Sequence, residues 1–215
     1  MTIEHPIAIQ RDAAGDGRGA AVCVAGVLVG GRSRRMGRPK ALLPHVRGGT
    51  LVEHVVHVAR SAATRVFLLG QAEGLPAALD EVDRLPDAHE NAGPLGGLCS
   101  LLLVAEKQWA FLVACDMPNL DATLPTRLLA HAAEAVDAVA FARIDRPGTY
   151  HACCALYHPR LLPVVLDGLD GGHRSLQRLL GRVRVAKLVP NERDLAALAN
   201  VNTPSDNEST RIRRR

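Results

Sequence analysis

Aromatic side chains are nearly missing from this chain. Its 215 residues include three Phe, two Tyr and one Trp, 3% in all. The core must therefore rest on Val, Leu, Ala and Ile. The interleaving of aromatic and basic residues by which single-strand nucleic-acid binders stack bases has no place here. Nucleic acid is not expected as a partner. No apolar run approaches ~20 residues, which excludes a membrane-spanning helix. The opening stretch, "MTIEHPIAIQRDAAGDGRGAA", has neither a basic region followed by an apolar one nor an amphipathic Arg/Ser pattern, so no secretory signal is expected. Disulfide and zinc spacings are also lacking. The five cysteines, an odd number, stand at 23, 99, 115, 153 and 154 with no C-x-x-C among them. Cys23, Cys99 and Cys115 lie in apolar runs and read as small core residues. A reducing cytoplasm is the expected location.

What is present is a regular alternation of apolar and amphipathic runs. Residues 1–20 read as a loose extension, residues 21–207 as a single domain, and residues 208–215, with "RIRRR", as a basic solvated tail that carries part of the net charge of +4. Strands are expected at 22–29, 65–69, 82–85, 109–114, 136–142, 152–157 and 183–188. Helices are expected at 50–61, with Thr50 as cap, and at 95–105, 124–135, 159–166 and 175–180. The alternation predicts an α/β fold, a three-layer α/β/α arrangement around a mostly parallel sheet covered on both faces. Ligands in such sheets sit beyond the carboxyl ends of the strands. That rule gives weight to the segments after the first four strands: the Gly/Arg loop, "GQAEG", "PDAHENAGPLGG" and "CDMPN".

The first of these, "LVGGRSRRMGRPKALLP" (residues 28–44), holds three glycines and five cationic residues with no acid among them. Like charges at that density repel unless an anion lies between them. Bare glycine backbone admits a phosphate, Arg offers a flat fork and Lys a point charge. Neither common phosphate loop fits. A Walker loop needs Lys directly after its second Gly, and a dinucleotide fingerprint needs G-x-G-x-x-G, which Gly30-Gly31 breaks.

The remaining pattern is G-G-x-S-x-R-M-G-x-x-K. Gly30, Gly31, Ser33, Arg35, Met36, Gly37 and Lys40 resemble, position for position, the signature of the molybdenum cofactor guanylyltransferase family of nucleotidyltransferases. Three further segments are similar to that family in the same order: "GPLGGL" (residues 93–98), "CDMP" (115–118) and "NVNTPSD" (200–206). The resemblance spans about residues 22 to 207. It implies a Rossmann-like nucleotidyltransferase fold and transfer of GMP from GTP to the terminal phosphate of molybdopterin, with release of pyrophosphate.

Residue by residue, it implies that Arg35 and Lys40 meet the triphosphate, and that Asp116 holds Mg²⁺, whose preference is for hard oxygen ligands. Leu28, Val29, Gly30, Gly31, Ser33 and Gly93 would contact the nucleotide, with Asp87 facing the nucleoside. Asn202 would face the acceptor or complete the metal site, and His151 (in "GTYHACC") and Arg174 (in "GGHRSL") would face the acceptor. Proteins that deliver the cofactor, or chaperones of molybdoenzymes, are the partners the resemblance adds. The Gly30-Gly31 pair accompanies GTP in this family, whereas "GRPKALLP" also looks like the cytidylyltransferase branch, so a CTP-dependent or sugar-phosphate or alcohol-phosphate transferase stays open, as does a nucleotide-binding module without turnover. His54 and His57, three apart beside Glu53 and Arg60, read as a solvated helix surface.

Overall fold

The computed structural model describes residues 21–30, 39–89 and 92–201. Seven strands form one sheet: β1 (Cys23–Leu28), β2 (Val66–Leu69), β3 (Arg84–Leu85), β4 (Trp109–Ala114), β5 (Ala138–Ala142), β6 (Tyr150–Tyr157) and β7 (Val185–Leu188). Their order is β3-β2-β1-β4-β6-β5-β7. All neighbouring pairs are parallel except β4–β6 and β5–β6, so β6 alone runs against the rest. The chain moves outward from β1 through β2 to β3, then returns to place β4 on the other side of β1. That reversal opens a crevice at the carboxyl ends of β1 and β4.

The strands β1, β4 and β5 are buried on both faces, and successive side chains divide between two cores. Cys23, Ala25 and Val27 of β1, with Trp109, Phe111 and Val113 of β4, pack on one side. There they meet α1 (Leu51–Arg60), α3 (Thr123–Leu129) and α6 (Glu192–Ala197). Val24, Ala110 and Leu112 pack on the other, under α2 (Pro94–Ala105), α4 (Leu162–Asp170) and α5 (Leu176–Leu180). The expected three layers are present.

With few large rings available, close packing comes from small residues. Gly26 and Gly97 let α2 settle directly onto the sheet. A Cβ at Gly26 would lie 2.5 Å from Leu69 Cδ1 and 2.8 Å from Leu101 Cδ2, and one at Gly97 would lie 2.8 Å from Leu28 Cδ2. Leu69 and Leu101 are themselves fully enclosed, so neither can swing aside at little cost. Gly26→Val is therefore expected to cost about 1–3 kcal/mol by overpacking. A thermal or denaturant melt checks this, and a stability equal to wild type would mean that α2 has room to lift.

Boundaries depart from expectation where side chains compete with the backbone. The helix expected over 124–135 stops at Leu129. The His131 ring bonds the Arg127 carbonyl oxygen at 2.9 Å, the group its own amide would take in a continuing helix, and that amide bonds Leu128 instead. Thr50 does begin α1, in a capping box with Glu53. The helix expected at 159–166 divides into a 3-10 turn (Pro159–Leu161) and α4. α6 was not foreseen; it is set by a second capping box between Asn191 and Asp194. All five cysteines are free thiols, and Cys23, Cys99, Cys115 and Cys154 are buried. Among the described residues, no helix is long and apolar enough to cross a membrane.

Candidate active site

Four strand ends and one strand start meet at the crevice. β1 and β2 end in glycines that lie back to back. Gly70 has φ +84°, and a Cβ there would lie 3.2 Å from Gly30 Cα. The positive φ and the tight approach make Gly70 a glycine position, whereas a Cβ on Gly30 would meet Gly70 Cα at an ordinary contact distance of 3.4 Å. The Gly30 amide faces the Leu69 carbonyl oxygen at 3.4 Å, so this glycine contributes space beside the loop and its N–H points into the sheet. Val29 is buried, and Leu28 leans on α2 beneath it.

Asp87 follows β3, exposed, with Oδ1 3.9 Å from where a Cβ on Gly70 would stand. Its loop is tied down by Ser100 of α2, whose hydroxyl accepts the Ala88 N–H at 3.0 Å and donates to the Pro86 carbonyl oxygen at 2.7 Å. Gly93 caps α2 with φ 60° and ψ −149°, a region open almost only to glycine, and Pro94 opens the helix with no side chain capping it.

Asp116 lies just beyond β4. Its Oδ2 accepts from Lys40 Nζ at 2.9 Å, and the two side chains are 14% and 24% exposed. Lys40 begins a 3-10 turn (Lys40–Leu42) whose Ala41 is buried, which fixes where the lysine emerges. The Asp116 carbonyl oxygen accepts from the Val201 N–H at 2.9 Å, and Cys115 N–H bonds Leu28 O at 3.2 Å. Asp116 Oδ1 is buried and has no hydrogen-bond partner among the described residues. A buried carboxylate oxygen left unsatisfied is costly unless a ligand completes it.

The two thiols beside this carboxylate are protonated. Burial, then the Asp116 charge, pushes Cys115 up to about 12 and Cys153 up to about 11. Neither can serve as a nucleophile near neutral pH. Because β6 runs in the opposite sense, its first residues reach the same edge. His151 stands there, half-buried, its pKa lowered by burial and then by Arg143, against a smaller opposing pull from Asp145. The strand start is clamped by Gln177 of α5, which accepts the Tyr150 N–H at 3.0 Å and donates to the Tyr150 carbonyl oxygen at 2.6 Å. Arg174 is exposed on the loop between α4 and α5, next to a shallow cleft that His173, Arg178 and Arg182 help to line.

Lys40 and Asp116 are thus in contact, and Leu28, Val29, Gly30, Asp87 and Gly93 occupy the neighbouring strand ends. His151 lies at the opposite flank, and Arg174 stands on the loop between α4 and α5. Gly31, Ser33, Arg35 and Asn202 lie outside the described residues. Among the described residues, no three His, Cys, Asp or Glu side chains converge as a metal cage. A lone carboxylate with one open oxygen instead suits Mg²⁺ shared with substrate phosphates.

His54 is not the surface residue expected from its helix. Its Nε2 donates to the Leu120 carbonyl oxygen at 2.9 Å, and its ring stacks on His45, centroids 4.0 Å apart and planes 11° from parallel. His45 is buried, its Nδ1 accepts the Arg47 N–H at 3.3 Å, and its Nε2 donates to the Pro118 carbonyl oxygen at 2.9 Å. Nothing local in the sequence signals this, since the partners stand 73 and 66 residues apart.

Burial above all, then His45, Arg47 and His57, lowers the His54 pKa from 6.5 to about 4 in spite of the Leu120 hydrogen bond. A base whose folded pKa is depressed leaves the unfolded chain binding the extra proton. Stability should therefore fall as pH drops from about 6.5 to about 4, by up to about 3 kcal/mol, and change no further from this group below that window. His54→Gln, which cannot titrate, is expected to flatten that part of the curve of Tm against pH. An unchanged slope would remove His54 as its source.

Comparison with known proteins agrees with this geometry. The profile of the MobA-like NTP transferase domain matches residues 25–187. The chain is 35% identical over 185 residues to a molybdenum cofactor guanylyltransferase of Pseudomonas entomophila (strain L48), covering 85% of this chain and 95% of that protein. It is 36% identical over 191 residues to a probable molybdenum cofactor guanylyltransferase of Mycobacterium marinum, covering 86% and 92%. In fold it is similar to the crystal structure of molybdopterin-guanine dinucleotide biosynthesis protein A from Archaeoglobus fulgidus, with a TM-score of 0.73, 21% identity and coverage of 88% and 97%.

Proposed function

This chain belongs to the family of MobA-like NTP transferases, and we propose that it transfers GMP from GTP to the terminal phosphate of molybdopterin, forming molybdopterin guanine dinucleotide and pyrophosphate. The observation that carries this reading is the Lys40–Asp116 pair at the crevice between β1 and β4, with one carboxylate oxygen engaged at 2.9 Å and the other buried and open. Its likeness to molybdenum cofactor guanylyltransferases supports the guanine, the pterin and the transfer alike, and the Lys40–Asp116 pair is consistent with that chemistry.

The acceptor is a phosphomonoester with a second pKa of about 6, largely a dianion near neutral pH. It needs no general base. A bond forms from its oxygen to the α-phosphorus of GTP while the bond to the β-phosphate oxygen breaks, and pyrophosphate carries the charge away. The obstacle is the approach of one anion to another, and cations placed in advance overcome it. In the free protein Asp116 holds Lys40 in place. As the triphosphate enters, Lys40 turns to the phosphates and Asp116 gains a free second oxygen.

Asp116 would then hold Mg²⁺ against the α-phosphate. Bound there, the ion would supply Lewis-acid polarisation and charge neutralisation. Arg35 adds a second cation, with Gly31 and Ser33 beside the phosphates. Leu28, Val29, Gly30, Asp87 and Gly93 form the nucleoside side, and His151, Arg174 and Asn202 the acceptor side. His151, favoured in its neutral form, serves as a hydrogen-bonding group there. Proteins that deliver or receive the cofactor are the further partners, and the cytoplasm the expected location.

The test is a nucleotide panel followed by an acceptor assay. A ligand that binds only the native state raises Tm with its affinity. With Mg²⁺ present, GTP should raise it more than CTP, UTP or ATP, and GTP with molybdopterin should yield the dinucleotide and pyrophosphate. A preference for CTP would move the assignment to the cytidylyltransferase branch that "GRPKALLP" resembles. Binding with no turnover of any nucleotide would make it a non-catalytic module.

A further inference from the structure

Asp116 can serve the transfer only if its open oxygen faces the substrate, and the backbone that follows it decides that direction. Residues 117–120 form a short loop between β4 and α3, with Pro118 and Leu120 buried. Buried carbonyl groups require donors. At Pro118 and Leu120 the donors are two imidazoles, each with its proton on Nε2.

The two imidazoles belong to one rigid unit. His45 N–H bonds Gly49 O at 2.9 Å, Gly48 N–H bonds His45 O at 3.1 Å, and Pro44 pairs with Thr50. Thr50 in turn caps the helix that carries His54. The same unit begins, five residues before His45, with Lys40. One body thus grips the loop at two carbonyls and supplies the cation that meets the carboxylate at its head.

We propose that His45 and His54 are positioning residues of the transfer centre: as a stacked neutral pair they pin residues 117–120 to the unit that carries Lys40, and so fix the direction in which Asp116 presents its open oxygen. The proposal rests on the role given to Asp116 above. Stacking at 4.0 Å restricts both rings at once, so each holds the other's donor on target. The geometry asks for a flat ring with one donor and no charge. Lys or Arg would bring a charge into the site, and Phe would leave a carbonyl unmet.

His45→Phe and His54→Phe keep the ring and remove the donor; His45→Gln and His54→Gln keep a donor and remove the ring. Two readouts apply to each. In the nucleotide-free protein, amide hydrogen exchange across residues 117–121 should accelerate in the Phe variants and stay near wild type in the Gln variants. With GTP and molybdopterin, the Mg²⁺ concentration for half-maximal rate should rise on the order of 10- to 100-fold in the Phe variants, as for other outer-shell partners of a metal ligand. The Gln variants should stay within about threefold, because the hydrogen bond they retain is the larger part of the effect.

Loss of Tm with normal loop exchange and a normal Mg²⁺ requirement would reduce the pair to packing and overturn the proposal. So would Gln variants as impaired as the Phe variants. His54 is only half-buried, so its variants remain informative if those at His45 fail to fold. Absence of turnover in the wild-type protein would instead count against the function, while the exchange results would still report on the loop.

Discussion

Asp116→Asn is expected to lower kcat by about a thousandfold while leaving the protein folded and still able to bind GTP. The substitution is isosteric, so Cys115 and Val201 keep their backbone bonds to the neighbouring peptide units. What disappears is the negative charge at a position where one oxygen meets Lys40 and the other is buried without a partner. An amide is a poor ligand for a hard dication, and preorganised charge at a transferring phosphoryl group is worth about 10²–10³ or more in rate. The loss should fall on kcat, with KM for GTP changed only a few-fold, because the cations proposed to hold the triphosphate remain. Steady-state kinetics across Mg²⁺ concentrations checks this, alongside a melt to verify folding. An unchanged kcat would take the carboxylate out of the reaction.

For Lys40→Ala, binding and rate should both suffer. KM for GTP should rise and kcat fall, each by about 10- to 100-fold, since in the proposed reaction the ammonium meets the triphosphate before and during the transfer. The substitution also leaves a carboxylate that is 14% exposed without the cation that faces it in the free protein. Stability should therefore drop in Lys40→Ala more than in the double variant with Asp116→Asn, where no lone charge remains. The same cycle should give a rate penalty well short of the product of the two single effects, because the pair acts as a unit. A normal kcat/KM in Lys40→Ala would eliminate its contact with phosphate.

The parts of the fold that the sequence exposed were those governed by local rules. Apolar runs mark β1 and β4 because strands buried on both faces need no polar alternation. The Thr50–Glu53 box marks the start of α1. The meeting of Lys40 and Asp116 at 2.9 Å accords with loops that follow buried strands in a fold that places ligands at strand ends, while the roles proposed for them come from the resemblance of "GGRSRRMGRPK" and "CDMP" to the family. What stayed hidden depends on partners distant in the chain. The stop of α3 at Leu129 turns on a single His131 ring, and α6 on an Asn–Asp box in a segment without a long apolar stripe. The opposite sense of β6 cannot be read from an apolar run, which looks the same in either direction. The ties made by His45, His54, Ser100 and Gln177 join loops that only the folded sheet brings together.

The reversed strand has a consequence for how such proteins can diversify. Since β6 approaches the crevice from outside, the turn at residues 143–149 leads into the flank proposed above for the acceptor, and it is closed by a bond from Arg143 N–H to Thr149 O and a glycine at φ +81°. On the proposed function, lengthening that turn would add a wall on the acceptor side without moving β1 or β4. On that reading, evolution can rewrite what receives the nucleotidyl group while the apparatus that delivers it stays untouched.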